Sequence, residues 1–420
     1  MKDLSYRYLT VFTVIVAVCI ILDVYTWYGL RKTVGKKWWN FFKWFIPLST
    51  VVFFVGFIYG MYRGGQGIHN ASYALNIVNG FTFGVFLAKL LIATPFIIED
   101  LVRVPLFFYR YFTKSKNEEK KPLMPGRRKF VRNISLALAA IPLSGTIYAI
   151  TRGKYNYQVV RQTLFFDDLP EAFDGFKIVQ FSDFHAGSFD DFDAAKGGLS
   201  LINEQHPDLV LFTGDLVNNR AAEVKPFQES FLNINAKYGK FAVLGNHDYG
   251  TYMPFNEEGE SEENMKRLEG FYKDTNFRLL RNESLLIEKE NAKIRLAGVE
   301  NWGNSPFPQL GDLDQTFKDA KDEFNVLMSH DPDHWDEKIL DFKKTIHLTL
   351  SGHTHGAQFG VDIPSWKWSP VKYRYKRWLG VYKHQNQHLY VSKGFGFLGF
   401  PGRIGMSPEI VVFELKKGIA

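Results

Sequence analysis

Residues with the chemistry of metal ligands recur in five short strings between positions 183 and 355. They are Asp183-Phe184-His185, Gly214-Asp215, Gly245-Asn246-His247-Asp248, His330-Asp331 and Gly352-His353-Thr354-His355. Together they supply carboxylate, imidazole and amide donors, the set that suits two hard-to-borderline divalent cations, with one histidine left over for chemistry. A lone Asp-x-His or His-x-His arises by chance and usually sits in a turn. Five such strings, each directly after an apolar run, are not explained that way.

The runs that precede the strings read as strands. Apolar and β-branched segments recur at 159–166, 176–181, 209–213, 241–244, 294–299, 326–329 and 346–350, and helical patterns fall at 193–205, 261–275 and 334–341. Every string therefore sits at the C-terminal end of a strand, the edge of an α/β sheet at which ligands bind. Gly187, Gly214, Gly245, Gly352 and Gly356 flank the strings and permit tight turns close to an ion. The first strand–helix units suggest parallel connections, whereas 278–299 and 389–415 look like antiparallel hairpins. The fold class expected is α/β: an N-terminal four-helix transmembrane region, then a sandwich of two mixed β-sheets flanked by helices.

The transmembrane region follows from apolar stretches at 8–30, 41–62, 71–98 and 133–150. Each has about the ~20 residues a helix needs to cross a bilayer. Three transmembrane helices are expected over 1–112, a basic cytoplasmic linker over 113–132, a fourth transmembrane helix over 133–151 and the catalytic domain over 152–420. Charge divides the same way: residues 1–132 carry 19 Lys/Arg against 6 Asp/Glu, and the remainder carries 32 against 38. Basic residues crowd the segments after the first and third spans, which the positive-inside rule places in the cytoplasm. Everything after residue 150 then faces outward. Gly126-Arg127-Arg128-Lys129-Phe130-Val131 resembles an internal twin-arginine export signal and points the same way. The expected location is the bacterial inner membrane, with the catalytic domain in the periplasm.

The five strings, in this order, resemble the signature of the calcineurin-like metallophosphoesterase superfamily: D-x-H, G-D, G-N-H-D/E, H and G-H-x-H. The resemblance covers roughly residues 155–415. Within the superfamily the chain is similar to membrane-associated bacterial phosphodiesterases related to the UDP-2,3-diacylglucosamine pyrophosphatases, through Tyr390-Val391-Ser392-Lys393-Gly394, Pro401-Gly402-Arg403 and Pro408-Glu409-Ile410. The resemblance implies an αββα metallophosphoesterase sandwich. It also implies that Asp183, His185 and His355 hold one metal, that Asn246, His330 and His353 hold a second, and that Asp215 bridges them. It makes His247 the proton donor to the leaving oxygen, with Asp248 orienting it. One departure is Asn218, where many relatives have an aspartate; altered tuning of the site is expected there, not loss of metal.

Paired ions repel, and a shared carboxylate offsets that repulsion; the ions in turn acidify a bridging water and clamp the phosphoryl oxygens. Four imidazoles and no thiolate suit Mn, Fe or Zn better than Mg. The expected reaction is hydrolysis of a phosphodiester or pyrophosphate by that hydroxide. A mildly acidic catalytic domain counts against nucleic acid as a partner. The segments 364–368 and 373–378 interleave Trp and Tyr with Lys and Arg, the composition of a bilayer interface, and suggest a lipid bilayer as partner and a lipid-linked phosphate as substrate. Arg403, in a Gly/Pro-rich turn, is a candidate phosphate contact. Competing readings are a nucleotide phosphodiesterase and a polytopic sensor with a non-catalytic metal-binding domain. His69, His206, His334, His347, His384 and His388 lie outside the strings and read as structural or solvated. Cys19, the single cysteine, lies in the first apolar stretch, so no disulfide can form within the chain.

Overall fold

The computed structural model describes residues 2–31, 34–65, 73–113 and 125–418, and the chain divides into two units. The first, Met1–Arg63 with Ala74–Tyr148, is built on helices α1 (Lys2–Arg31), α2 (Lys36–Gly65), α3 (Tyr73–Thr113) and α4 (Pro125–Thr151). Each contains a window long and apolar enough to cross a membrane: Thr13–Arg31, Lys36–Gly56, Leu75–Leu106 and Asn133–Thr151. Large apolar side chains such as Val18, Trp44, Val55, Leu101 and Ile141 point outward, the reverse of a soluble bundle. Inside, the helices meet where one side chain is missing. A Cβ on Gly56 would overlap the Asn79 amide, and one on Gly84 the Thr146 hydroxyl. Helix α4 begins at Pro125, ahead of the start expected from hydropathy. His69 and residues 114–124 of the expected linker lie outside the described residues.

The second unit, Gly64–Tyr73 with Ala149–Ala420, holds the strings. In chain order it runs β1 (Gln158–Phe166), β2 (Phe176–Phe181), α5 (Phe192–Asn203), β3 (Leu209–Phe212), α6 (Gln228–Leu232), β4 (Lys240–Ala242), α7 (Glu260–Asp274) and β5 (Phe277–Leu279). It continues through β6 (Glu283–Lys289), β7 (Ala292–Gly298), α8 (Leu313–Thr316), β8 (Phe324–Met328), β9 (Leu348–Ser351), β10 (Val361–Ile363), β11 (Trp366–Trp368), β12 (Gly380–His384), β13 (Gln387–Val391) and β14 (Glu409–Lys417). One six-stranded sheet has the order β1-β14-β2-β3-β4-β5, a second β12-β13-β9-β8-β7-β6, and β10-β11 form a separate hairpin. Strands β2, β3, β4 and β5 are parallel neighbours, as are β7, β8 and β9.

Leu209, Leu211 and Phe413 of the first sheet pack against Leu296, Val326 and Leu350 of the second, giving the core between the sheets. Leu199, Phe231 and Leu268 of the helices cover the outside of one sheet, and Phe317 and Trp335 cover the other. This is the αββα sandwich. Strands buried on both faces read as continuous apolar runs, so Leu209–Phe212 shows no polar alternation. Helix α5 starts where Asp191 accepts a hydrogen bond from Ala194 N at 2.9 Å, capping its open end.

One expected element differs. The segment 389–415 is not a hairpin, because β13 pairs with β9 and β12 in the second sheet while β14 pairs with β1 and β2 in the first. The connection crosses between the sheets and brings Lys393 and Arg403 beneath the strings. The expected hairpin over 278–299 does form, as β6 and β7.

Candidate metal centre

The strings sit on the turns that leave β2, β3, β4, β8 and β9, and the backbone there is bent sharply. Asp183, His185, Asp215, His353 and His355 all have φ between +50° and +71°, a left-handed conformation that costs non-glycine residues energy. Such bends turn consecutive side chains inward from one sheet edge. Glycine is required where backbones meet: a Cβ on Gly245 would lie 2.2 Å from Asp215 Oδ1 and 2.6 Å from Asp215 N.

Two groups of donors result. Donor atoms of Asp183, His185 and His355 lie within 4.8 Å of one another, as do those of Asp215, His330 and His353. His185 Nε2 is 3.0 Å from His355 Nε2, which is 3.4 Å from Asp183 Oδ1. In the second group His330 Nε2 is 3.3 Å from His353 Nδ1, which is 2.8 Å from Asn246 Oδ1. Asp215 Oδ2 faces both groups, 3.6 Å from His185 Nε2 and 3.2 Å from His330 Nε2.

The donor chemistry fits divalent cations. Burial holds His185 and His353 at about 3 and His355 well below its ordinary value, so these rings are neutral and offer lone pairs. Asp183, pushed up to about 6 by burial, keeps Oδ2 buried without a hydrogen-bond partner. Burial alone would lower His330, yet the adjacent Asp215 carboxylate raises it to about 10. Burial opposes ionisation of Asp215 as well, but His330 and His247 hold it well below the usual carboxylate range. A buried, ionised carboxylate ringed by imidazoles demands positive charge beside it.

Backbone carbonyls and phenols set the orientation of the ligands. His330 Nδ1 donates to Thr213 O at 2.8 Å, which leaves Nε2 toward Asp215. The Asn246 amide donates from Nδ2 to Tyr252 Oη at 2.8 Å, so Oδ1 turns to the ligand cluster. His353 Nε2 meets Tyr375 Oη at 2.7 Å and lies 3.4 Å from the buried Asp331 Oδ2. Asn218 bonds Ser188 through its side chain and also acts as a side-chain hydrogen-bond partner of His185, which puts it against the first group.

His247 stands beside the groups, its ring 5.0 Å from that of His185. Its Nδ1 donates to Asn218 O at 2.8 Å, so Nε2 is the free nitrogen. Tyr252 lies against the ring, centroids 4.3 Å apart and planes tilted by 32°. Two expected roles change. Asp248 does not orient His247 through its side chain; its carboxylate accepts from the backbone N–H of Asp215, Leu216, Val217 and Gly245 at 2.8–3.2 Å. It locks the two turns that carry Asp215 and Asn246 and leaves the ring to the Asn218 carbonyl. Arg403 is 1% exposed, and its guanidinium is engaged by the carbonyls of Lys393, Gly394, Gly396 and Met406. Its Nη2 also lies 3.3 Å from His355 Nδ1, so buried in this way it braces the crossing loop and a ligand histidine.

Sequence reading missed Tyr252 and Tyr375, and it named Asp331 in a string without giving it a role. Asp331 is adjacent to His330 and was within reach. Tyr252 and Tyr375 carry no motif, and only the folded loops bring them to the site. The remaining histidines are as expected: His334 is buried against Ser329 and Trp302, His347 accepts from Asn325 N, His388 packs on Phe166, and His206 and His384 are exposed.

A mixed two-sheet sandwich with paired carboxylate–imidazole clusters at one edge defines an α/β metallohydrolase. Residues 7–154 match the family described as probable calcineurin-like phosphoesterase, transmembrane domain, and residues 176–357 match calcineurin-like phosphoesterase. An uncharacterized metallophosphoesterase of Bacillus subtilis, YkuE, is 32% identical over 304 residues, 69% of this chain and 97% of that protein. A transmembrane protein with metallophosphoesterase domain from Danio rerio is 26% identical over 64% of this chain and 60% of its own length. A Helicobacter pylori metallophosphoesterase is 26% identical over 74% of this chain and 78% of its own length. The chain therefore belongs to the calcineurin-like metallophosphoesterases, in the branch that carries a four-helix membrane domain, and is a metal-dependent phosphoester hydrolase.

Proposed function

We propose that the chain is a membrane-anchored, dinuclear phosphodiesterase or pyrophosphatase of the bacterial inner membrane, its catalytic domain periplasmic and its substrate a lipid-linked phosphate. The observation that carries the dinuclear reading is Asp215 Oδ2, within 3.2–3.6 Å of a histidine from each group. Asp183, His185 and His355 would hold one ion, and Asn246, His330 and His353 the other, across Asp215. Four imidazoles without a thiolate favour Mn, Fe or Zn. Bound ions supply Lewis acidity and an activated water for attack on phosphorus.

The chain's own part is positioning and proton transfer. The Asn218 carbonyl fixes the His247 ring with Nε2 toward the site, so the protonated ring can donate to the departing oxygen. The aromatic face of Tyr252 shields one side of that ring from water. Sidedness is supported by the basic clusters after the first and third spans.

The test is hydrolysis of bis-p-nitrophenyl phosphate by the detergent-solubilised chain with Mn²⁺, beside His247→Ala. Loss of one proton donor is expected to lower kcat by about 10²–10⁴, with bound metal unchanged because His247 belongs to neither donor group. No turnover of any diester, monoester or pyrophosphate by the wild type would overturn the proposal.

A further inference from the structure

The hairpin of β10 and β11 stands outside both six-stranded sheets. Its register pairs Val361 with Trp368, Asp362 with Lys367 and Ile363 with Trp366. Alternation then places Val361, Ile363, Trp366 and Trp368 on one face, and Asp362 and Lys367 on the other. The polar face is satisfied, since Asp362 pairs with Lys393 at 2.8 Å and with Lys367 at 3.7 Å. The apolar face is open: Ile363 is 47% exposed and Trp366 57%. Tyr373, in the turn that follows, is 77% exposed. A two-stranded hairpin has no core of its own, so an uncovered tryptophan face needs a partner.

Charge says what kind. Lys367, Lys372, Arg374, Lys376 and Arg377 lie within 361–378; Asp362 of the same stretch faces Lys367, Asp333 faces Arg374 and Asp336 pairs with Lys376 and Arg377, so five bases stand against three acids. Tryptophan and tyrosine interleaved with lysine and arginine match the headgroup zone of an anionic bilayer. Contacts within the catalytic unit place the hairpin base close to where the chain leaves its last span. Phe359 bridges Ile404, Gly360 N donates to Ile404 O at 2.9 Å, and Arg403 N reaches Ala149 O in the final turn of α4 at 3.4 Å.

We infer that the Ile363–Trp366–Trp368 face, with Tyr373 and the neighbouring lysines, rests in the interface of the anionic membrane that holds the spans. The same segment contributes Tyr375, whose hydroxyl bonds His353, so the surface that touches lipid also touches the metal centre. The inference holds whatever the substrate is, because it needs only the spans to lie in a bilayer. A second copy of the chain is the rival occupant.

The test uses the full chain in vesicles. Cys19 is the only cysteine, so Cys19→Ser clears the background for a single label. Ser365→Cys at the hairpin tip and Lys266→Cys on the exposed face of α7 each receive an environment-sensitive fluorophore. In vesicles containing phosphatidylglycerol, doxyl-labelled lipid is expected to quench the label at 365 several-fold more than that at 266, with blue-shifted emission. Trp366→Ala with Tyr373→Ala, checked for unchanged melting, should remove most of the difference, and so should purely zwitterionic vesicles. Equal, water-like emission at both positions would overturn the inference. So would a blue shift at 365 that ignores the lipid quencher and grows with protein density, since that outcome identifies a second copy as the cover. Neither result depends on catalytic activity.

Discussion

Asp215 is the residue on which both donor groups converge, and its neighbours are arranged around its charge. It accepts the His247 amide through Oδ1 and faces His185 and His330 through Oδ2. The orientation of the second group depends on less obvious residues. Tyr252 accepts the Asn246 amide N–H at 2.8 Å and so decides which end of that amide faces the cluster. Tyr252→Phe keeps the ring against His247 but removes the acceptor. Metal affinity is expected to fall by about 10–100-fold, the range for losing a partner that orients a ligand. Titration of the chelator-stripped protein with Mn²⁺ by calorimetry checks this, and unchanged affinity would assign Tyr252 to packing alone. The ligand types were legible in the sequence because they are chemically distinctive and ordered along the chain. Tyr252 and Tyr375 were not, since a phenol carries no spacing rule and its role depends on where a loop folds back. Arg403 was misread for a related reason: a Gly/Pro-rich turn looks exposed, yet in this one the guanidinium is buried among the carbonyls it binds.

At the level of elements, the site depends on turns that leave parallel strands with no spare room. Gly245 is one such case, because its missing Cβ would collide with the Asp215 backbone as well as its carboxylate. Gly245→Ala must separate two turns that Asp248 holds together, and overpacking of this kind costs about 1–3 kcal/mol. We expect a lower melting temperature and loss of bound metal, read by thermal unfolding and elemental analysis; retention of both would show the turns to be pliable. Acid stability has a separate source in His334. Burial, with a smaller push from Lys338, depresses it to about 3. The unfolded chain takes up a proton near pH 6.5 and the folded ring does not, so stability present above 6.5 is lost as pH falls toward 3. The slope from this one group is up to about 1.4 kcal/mol per pH unit. His334→Gln, which titrates in neither state, should therefore lose less stability than the wild type between pH 7 and 4.5. Equal slopes would exclude His334 as the cause. Strand positions were readable from unbroken apolar runs, since sheets buried on both faces require them. The partners of β14 were not, because a run such as Ile410-Val411-Val412-Phe413 fits a central strand in either sheet.

On the scale of the whole molecule, the two units are stabilised by different means. The three apolar clusters of the catalytic unit draw on residues from Tyr155 onward. Among the described residues, the membrane unit has one small apolar cluster and a buried polar knot. Lys89 of α3 donates from Nζ to Asp23 of α1 at 2.7 Å, to Thr50 of α2 at 2.7 Å and to Ile46 O at 2.6 Å. All three ammonium protons are used, so the knot ties three helices together and leaves no donor for a passing ion. Charges within spans are costly unless paired, and breaking a buried pair leaves one of them uncompensated. Lys89→Ala is expected to destabilise the membrane unit by about 3 kcal/mol or more, on the scale of a buried pair deprived of one partner. The double variant Lys89→Ala with Asp23→Ala should recover much of that loss, because neither charge remains. Unfolding in mild detergent measures both, while hydrolysis of a soluble diester reports on the catalytic unit. A single variant that melts like the wild type, or a double variant less stable than the single, would remove the ion pair as the element that joins the spans.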